Sequence, residues 1–202
     1  MYWSWPKLEK IGETRKIDQN EMKIKASKSA STSVSYMSVP TAMGDFILGA
    51  SAFGVASMFF PGVEDFDIID RSDFYGLASS SYGKKMAVEA GLELMGYAVN
   101  EVSQFSSPID LSYLTDFGQD VLLALSKVSF GKTVTISELA DLAGHPRKYA
   151  PVANVVKHNP LPIFIPCHRV MPSRGIGDWS GGPETKRFLL EHEGIEATLI
   201  SA

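Results

Sequence analysis

The sequence of 202 residues predicts an α+β fold, with a β-hairpin and helix domain followed by a mostly helical domain. Two observations support this prediction. Short apolar runs separated by glycines between residues 46 and 60 are typical of paired strands. From Thr115 onward, apolar residues recur at helical spacing between capping residues. Because 45% of the residues are hydrophobic, a chain of this length can bury a full core.

Composition excludes several classes of protein. The single cysteine, Cys167, rules out an intrachain disulfide and a zinc site built from several cysteines. The four histidines are scattered and lack the spacing of a metal motif. No apolar run is long enough to span a membrane, and no signal-peptide pattern is present, so we expect a cytoplasmic protein without membrane contact.

Residues 1–35 are predicted to form a polar leader with little order. They mix charges and become rich in serine, alanine and lysine toward their end. The lysines either stay solvated or contact DNA, and the composition favours a solvated tail. We place the first folded domain after this leader.

Residues 36–110 are predicted to form a scaffold domain without catalytic residues. Residues 46–48 and 55–60 should pair as a hairpin around a loop bounded by glycines, and Ile68-Ile69 should add a short strand. A helix is predicted from Lys84 to about Val102. The apolar residues that define the spacing of this helix are Met86, Val88, Leu92, Met95 and Val99.

Residues 111–202 should form the second domain, which begins with three helices. Thr115 can cap the first helix, and Thr135 can open a short second helix that Gly144 ends. A third helix should run from Lys148 or Pro151 to Lys157. Short helices joined by a glycine-containing turn indicate a helix-turn-helix, although similar helix pairs are common in cores that never touch DNA.

The charge of this region differs from that of the whole chain. The formal net charge of the protein is −4, whereas residues 126–174 carry seven basic and two acidic side chains, a net of +5. A cationic module in an acidic chain fits contact with phosphates. An ordinary solvated face is the alternative interpretation.

Residues 162–170 read Pro-Ile-Phe-Ile-Pro-Cys-His-Arg-Val. The apolar, β-branched run predicts a buried strand that stops at Pro166 and holds Cys167 at its end. On a strand His168 would point to the opposite face, so direct contact with the thiol is awkward and a water molecule can bridge the imidazole and the thiol. A thiol beside a base can act as a nucleophile. The alternative is a buried apolar cysteine next to a surface histidine.

A carboxylate that orients the histidine would have to come from another element. Pro183 should open a final helix that Gly194 ends. Glu193 lies at the end of this helix and is the first candidate, with Glu191 and Glu184 as alternatives.

Several segments between Thr115 and Gly194 together resemble one known family. They are residues 130–135, residues 138–140, residues 159–170 with their Pro-Cys-His-Arg-Val core, residues 177–182, Lys186, and residues 189–194. The segments resemble the helix-turn-helix, the active-site signature, and the closing loop and helix of the O6-alkylguanine-DNA alkyltransferases. Residues 41–110 are compatible with the variable N-terminal domain of that family.

The resemblance implies a single-turnover DNA repair enzyme. The target guanine is rotated out of the duplex, and the thiolate of Cys167 takes the alkyl group permanently. By matching position, His168 is the water-relayed base, Glu193 is its orienting carboxylate, and Asn159 braces the turn beneath the site. No cofactor is implied, because the protein itself is the acceptor.

The resemblance also implies a guanine pocket. Trp179 replaces the more usual tyrosine of the family at one wall. The residues of this sequence that match pocket positions are Pro162, Val170, Trp179, Ser180 and Lys186.

Two positions of the implied DNA surface depart from the family. Ile136 replaces a tyrosine that helps to turn the target nucleotide, and Ala150 replaces an arginine that fills the gap in the base stack. The role of the missing arginine could be taken by Arg147, Lys148 or Tyr149, since a tyrosine can stack in the vacated space.

The other residues expected at the DNA are Ala153, Asn154 and Arg169. The implied partner is duplex DNA containing O6-alkylguanine, contacted from the minor groove by a monomer.

Two other functions remain open from the sequence. One is a lesion-sensing or regulatory DNA-binding protein in which the chemistry is lost or secondary. The other is a repair protein that acts mainly on single-stranded or distorted DNA, which would account for the departures at Ile136 and Ala150.

Overall fold

A computed structural model of the chain describes residues 34–61, 81–172, 175–177 and 179–196. The chain divides into two compact units, Met1–Tyr113 and Leu114–Ala202. The expected leader up to residue 33 and the expected strand at Ile68-Ile69 lie outside the described residues. No helix within the described ranges has the length and apolar character needed to cross a membrane.

The first unit contains a three-stranded antiparallel sheet. Its strands are β1 (Ser35–Thr41), β2 (Gly44–Ala50) and β3 (Val55–Phe59), in the order β1-β2-β3. The predicted hairpin is confirmed as β2 and β3, whereas β1 was not predicted. The turn between β1 and β2 contains two residues, since Thr41 pairs with Gly44, and Gly44 has φ +108°, a conformation that favours glycine.

The predicted helix is present as α1 (Ser81–Ala98), but most of the apolar residues that defined its spacing do not face the sheet on which it packs. Its buried residues include Ala87, Ala90, Leu94 and Tyr97. The expected apolar stripe is exposed over Val88, Leu92, Met95 and Val99. Gly91 explains the choice, because a Cβ there would lie 2.8 Å from Cε of Met37 on β1. Small side chains let the helix approach the sheet closely, and spacing alone did not reveal this.

The second unit contains the predicted helices. They are α2 (Asp116–Leu125), α3 (Ile136–Leu142), α4 (Tyr149–Lys157) and α5 (Pro183–His192). Thr115 caps α2 through the backbone N–H of Gly118, and Thr135 forms a capping box with Glu138 at the start of α3. Helices α2, α3 and α4 pack on one another. The buried residues of these helices include Val121, Leu122, Leu125, Leu139, Ala140, Val152 and Val156.

A short parallel sheet joins the helix-turn-helix to the cysteine segment. Strand β4 (Val134–Thr135) runs directly into α3, and it pairs with β5 (Val170–Met171), which directly follows Arg169. The start of α3 and the cysteine segment are therefore held in a fixed register.

The prediction of a buried strand ending at Pro166 is wrong. Residues 161–165 form turns, with Ile163 at φ +71°, and Cys167–Arg169 form one turn of 3-10 helix. The physical reason lies in the prolines at positions 160, 162 and 166, which lack the N–H groups that a strand needs for pairing. The segment is nevertheless buried throughout, as an apolar run predicts.

Candidate active site

The one-turn helix places a buried thiol next to a buried imidazole. Cys167 is 1% exposed and His168 is 0% exposed. The backbone N–H of Cys167 donates to the carbonyl of Ile165 at 2.8 Å, which continues the turns that precede the helix. This compact backbone, rather than a strand end, fixes the position of the sulfur.

Asn159 braces these turns from the end of α4. Its Nδ2 donates to the carbonyl of Ile165 at 2.7 Å, and its Oδ1 accepts from the N–H of Leu161 at 3.0 Å. Its side chain also makes a hydrogen bond with Cys167. One amide thus ties the residues just after α4 to the cysteine, because an asparagine side chain both donates and accepts.

Glu193 is the carboxylate that meets the histidine. Its Oε1 lies 2.7 Å from Nε2 of His168, and both side chains are fully buried. The alternatives, Glu191 and Glu184, are exposed. Burial, followed by nearby positive charge, lowers the pKa of His168 despite the opposing effect of Glu193. A carboxylate only accepts, so Nε2 carries the proton and Nδ1 of the neutral ring is an acceptor.

The other ring nitrogen of His168 is free to take a proton. Its Nδ1 is buried and makes no hydrogen bond to any residue that the structure describes. A buried polar atom without a partner is unusual, and a catalytic role is one explanation for it. The imidazole is therefore oriented on one side by Glu193 and available on the other.

Arg169 forms the second half of the buried ion cluster. Its Nε donates to Oε2 of Glu193 at 2.8 Å and its Nη2 to Oε1 at 2.9 Å, while Nη1 donates to the carbonyl of Val128. Arg169 is 5% exposed. The expectation that Arg169 contacts DNA is therefore wrong in this structure, because its three guanidinium nitrogens are engaged inside the protein.

The cluster keeps Glu193 ionised. Burial raises the pKa of this carboxyl, but the hydrogen bonds from His168 and Arg169 outweigh burial and lower the pKa to about 2. The backbone N–H of Gly131 donates to Oε2 at 3.2 Å. Gly131 has φ +70°, and it lies in the turn between α2 and β4. One carboxylate thus links three parts of the unit.

Opposing influences act on the Cys167 thiol. Burial raises the pKa of the Cys167 thiol, whereas hydrogen bonds from Asn159 and Trp179 and the charge of Lys186 act to lower it. Nε1 of Trp179 donates to the sulfur at 3.2 Å. Burial lowers the pKa of Lys186 to about 8. The thiol therefore needs a base to be activated at neutral pH.

The expected pocket residues have different environments. Pro162 and Val170 are buried in the segment that contains Cys167, and Ser180 is exposed. Lys186 is buried, and its Nζ donates to the carbonyls of Val170 and Ile176 at 2.7 Å each. Lys186 thus pins the loop before α5 to the cysteine segment. Asp178 of the predicted closing loop lies outside the described residues.

The other expected DNA-contacting residues lie at the start of α3, in the turn before α4 and in α4 itself. Ile136 is half-buried at the start of α3, and Ala153 is half-buried within α4. Nζ of Lys148 lies 5.4 Å from the ring centroid of Phe117, so its charge is held against α2. The remaining expected residues are exposed: Arg147, Tyr149, Ala150 and Asn154.

Three contributors to the site were not predicted from the sequence. They are the hydrogen bonds from Arg169 to Glu193, from the N–H of Gly131 to Glu193, and from the N–H of Trp179 to the sulfur of Cys167. A signal existed for Arg169, since an arginine inside a buried apolar run requires a buried partner. The other two depend on backbone and ring positions that the sequence pattern does not encode. Within the described ranges, no group of three or more histidine, cysteine or carboxylate side chains could hold a metal ion.

Comparison with known proteins agrees with this architecture. A family model described as 6-O-methylguanine DNA methyltransferase, DNA binding domain, matches residues 116–195. The methylated-DNA–protein-cysteine methyltransferase of Rattus norvegicus is 50% identical over 82 residues, 39% of this chain and 39% of that protein. The protein of the same name from Methanosarcina barkeri is 36% identical over 111 residues, 54% of this chain and 70% of that protein.

Solved structures share the fold over most of the chain. The crystal structure of Mycobacterium tuberculosis OGT in complex with DNA has a TM-score of 0.63 at 28% identity, covering 79% of this chain and 92% of that chain. The crystal structure of the O6-methylguanine methyltransferase from the same organism has a TM-score of 0.62 at 25% identity, covering 80% and 93%.

The second unit combines a helix-turn-helix with a buried arrangement of cysteine, histidine and glutamate side chains. The match to the Methanosarcina barkeri protein covers more than two thirds of that relative. The chain belongs to the methylated-DNA–protein-cysteine methyltransferase family, and the predicted family and α+β fold class are confirmed. The matched part spans 39% of the length of the first rodent relative.

Proposed function

We propose that the protein repairs DNA by accepting the alkyl group of O6-alkylguanine on Cys167, in a single turnover without a cofactor. One observation carries the proposal: a buried thiol is followed by a buried neutral imidazole whose Nε2 is held 2.7 Å from Glu193 and whose Nδ1 has no described partner. The names of the curated relatives support the same reaction.

In the proposed reaction, the proton of the Cys167 thiol moves to Nδ1 of His168 through a relaying water molecule. The sulfur electron pair then forms a bond to the alkyl carbon as the bond from that carbon to O6 breaks, and the electron pair of the broken bond stays on guanine. Guanine takes up one proton, so the imidazolium can return the proton it received. Glu193 stabilises the imidazolium between these steps, as a charge-assisted acceptor does.

We further propose that α3 and α4 dock the protein on DNA as a monomer from the minor groove. The solved complex of a structural neighbour with DNA supports DNA as the partner. Of the candidates to replace the missing arginine, Lys148 is held over Phe117, whereas Tyr149 is 45% exposed at the first position of α4. Tyr149 is therefore the better candidate to stack in the space that a rotated base leaves.

The proposal is tested by intact-mass spectrometry after incubation with duplex DNA that carries one O6-methylguanine. We expect the wild type to gain one methyl group in place of a proton, and Cys167→Ser to gain nothing. His168→Gln should react far more slowly, whereas the control His158→Gln, at an exposed histidine, should react like the wild type.

The two other functions predict different results in the same experiment. A lesion-sensing protein would bind the methylated duplex tightly without a change in mass. A protein adapted to single-stranded or distorted DNA would react at least as fast with a single-stranded oligonucleotide as with the duplex. Either result would replace the proposed function.

A further inference from the structure

The side chain of Trp179 contacts the atom that reacts. Its Nε1 donates a hydrogen bond to Sγ of Cys167 at 3.2 Å. The indole also meets the ring of His168 edge-on, with ring centroids 6.4 Å apart and an interplanar angle of 78°. One side chain is therefore in contact with the nucleophile and next to its base.

A glycine determines where this indole lies. The N–H of Gly182 donates to the carbonyl of Trp179 at 3.0 Å, which closes a turn with Gly181 inside it. A Cβ at position 181 would overlap Cζ3 of the indole and lie 2.8 Å from Cε3 and Cη2. These atoms belong to the six-membered ring, so the missing side chain of Gly181 lets that ring lie on the turn while the N–H faces the sulfur.

The strength of this hydrogen bond depends on the state of the sulfur. An indole N–H only donates, so it gains most when the acceptor carries a negative charge. A thiol is a weak acceptor, and a thioether, the product of alkylation, is also weak. Trp179 therefore favours the thiolate over both the thiol and the alkylated sulfur.

We propose that Trp179 is a catalytic hydrogen-bond donor that stabilises the thiolate of Cys167, with Gly181 as the positioning residue that keeps its N–H on the sulfur. The role in alkyl transfer rests on the proposed function, whereas the stabilisation of the thiolate does not. A hydrogen bond to a charged sulfur is stronger than one to a neutral sulfur. Losing the bond from Trp179 therefore lowers the thiolate population at neutral pH about tenfold.

Trp179→Phe tests the donor, because phenylalanine keeps an aromatic ring and lacks the N–H. The chain has one cysteine, so the ultraviolet absorbance of its thiolate can be followed against pH, with Cys167→Ser as the blank that removes tyrosine ionisation. We expect the titration of Trp179→Phe to move to higher pH than that of the wild type. Gly181→Ala should move it in the same direction, since it displaces the ring and keeps the N–H.

The same substitution at another tryptophan, Trp5→Phe, is the matched control and should titrate like the wild type. Alkyl transfer by Trp179→Phe should be about tenfold slower at neutral pH and should approach or exceed the wild-type rate at alkaline pH, where both sulfurs are ionised. A packing defect would instead lower the rate at every pH.

Coinciding thiolate titrations of the wild type, Trp179→Phe and Gly181→Ala would overturn the proposal. The titration uses no DNA, so it stays decisive if the protein fails to take an alkyl group from methylguanine. In that case the proposed function falls and the thiolate contact stands. A shifted titration with a uniformly slow transfer at all pH values would retain the contact and overturn its catalytic role.

Discussion

Replacing Glu193 with glutamine removes a buried negative charge and keeps the shape of the side chain. Its carboxylate accepts hydrogen bonds from His168, from two nitrogens of Arg169 and from the backbone of Gly131. In the variant, Arg169 would stay buried without its counterion, and one amide oxygen would have to serve several donors. We expect a loss of both stability and activity.

The size of the stability loss follows from the titration of this carboxyl. Its pKa falls from 4.5 to about 2 in the folded protein, which corresponds to about 3 kcal/mol at neutral pH. Removing one partner of a buried ion pair costs about 3–5 kcal/mol. Glu193→Gln should therefore unfold in much less urea than the wild type.

The control is Glu191→Gln, which makes the same chemical change at an exposed position two residues away. Urea unfolding is followed by tryptophan fluorescence in a background of Trp3→Phe and Trp5→Phe, which leaves Trp179 as the reporter of the second unit. Glu191→Gln should unfold within about 0.5 kcal/mol of the background protein. Equal unfolding midpoints for both glutamine variants would show that the charge of Glu193 does not stabilise the second unit.

The pH dependence of the stability is a second, independent test of the charge on Glu193. Because the folded-state pKa of Glu193 is depressed, its stabilisation is fully present above 4.5 and is lost as the pH falls toward about 2. The stability difference between the background protein and Glu193→Gln should shrink over that window. A difference that stays constant from pH 6 to the acid limit of folding would show that the charge of Glu193 is not what stabilises the cluster.

Three further predictions concern the surface, a helix cap and the alkylated product. Tyr149→Ala should slow transfer from methylated duplex DNA much more than transfer from free O6-benzylguanine. Equal slowing with both substrates would contradict this prediction. Arg147→Ala is the variant for comparison. Thr135→Ala should cost about 1 kcal/mol in urea unfolding by removing the capping box, whereas Thr133→Ala, at an exposed position before the cap, should cost far less. Methylation of Cys167 should lower the free energy of unfolding by about 1–3 kcal/mol, because the added group enters a packed site, and an unchanged urea midpoint would contradict this.

The helices of the second unit could be predicted because residues at their ends determine where they begin and end. Thr115 and Thr135 cap helices, and Pro183 begins a helix that stops just before Gly194, where the structure has φ +76°. These signals act within a few residues, so they can be recognised without knowledge of the tertiary fold. The candidate base and carboxylate also followed from the sequence, through the resemblance of their segments to the family.

The remaining features depend on contacts between distant residues. The β-branched run at Ile163 to Ile165 favours a strand, but the prolines around it prevent pairing and impose turns. Arg169 was assigned to DNA by its charge, while the partner that holds it inside, Glu193, lies 24 residues away. The apolar spacing of α1 did not indicate its buried face, because a small residue, Gly91, decides which side can approach the sheet.

In the proposed reaction, one sulfur accepts one alkyl group and is then spent. The most direct measurement treats a molar excess of duplex DNA carrying isotopically labelled O6-methylguanine with the wild type, digests the protein with trypsin and locates the label. We predict that repair stops at one lesion per protein molecule and that the label lies on Cys167, in the peptide from His158 to Arg169. Repair that continues beyond one equivalent, or a label on any other residue, would contradict the account.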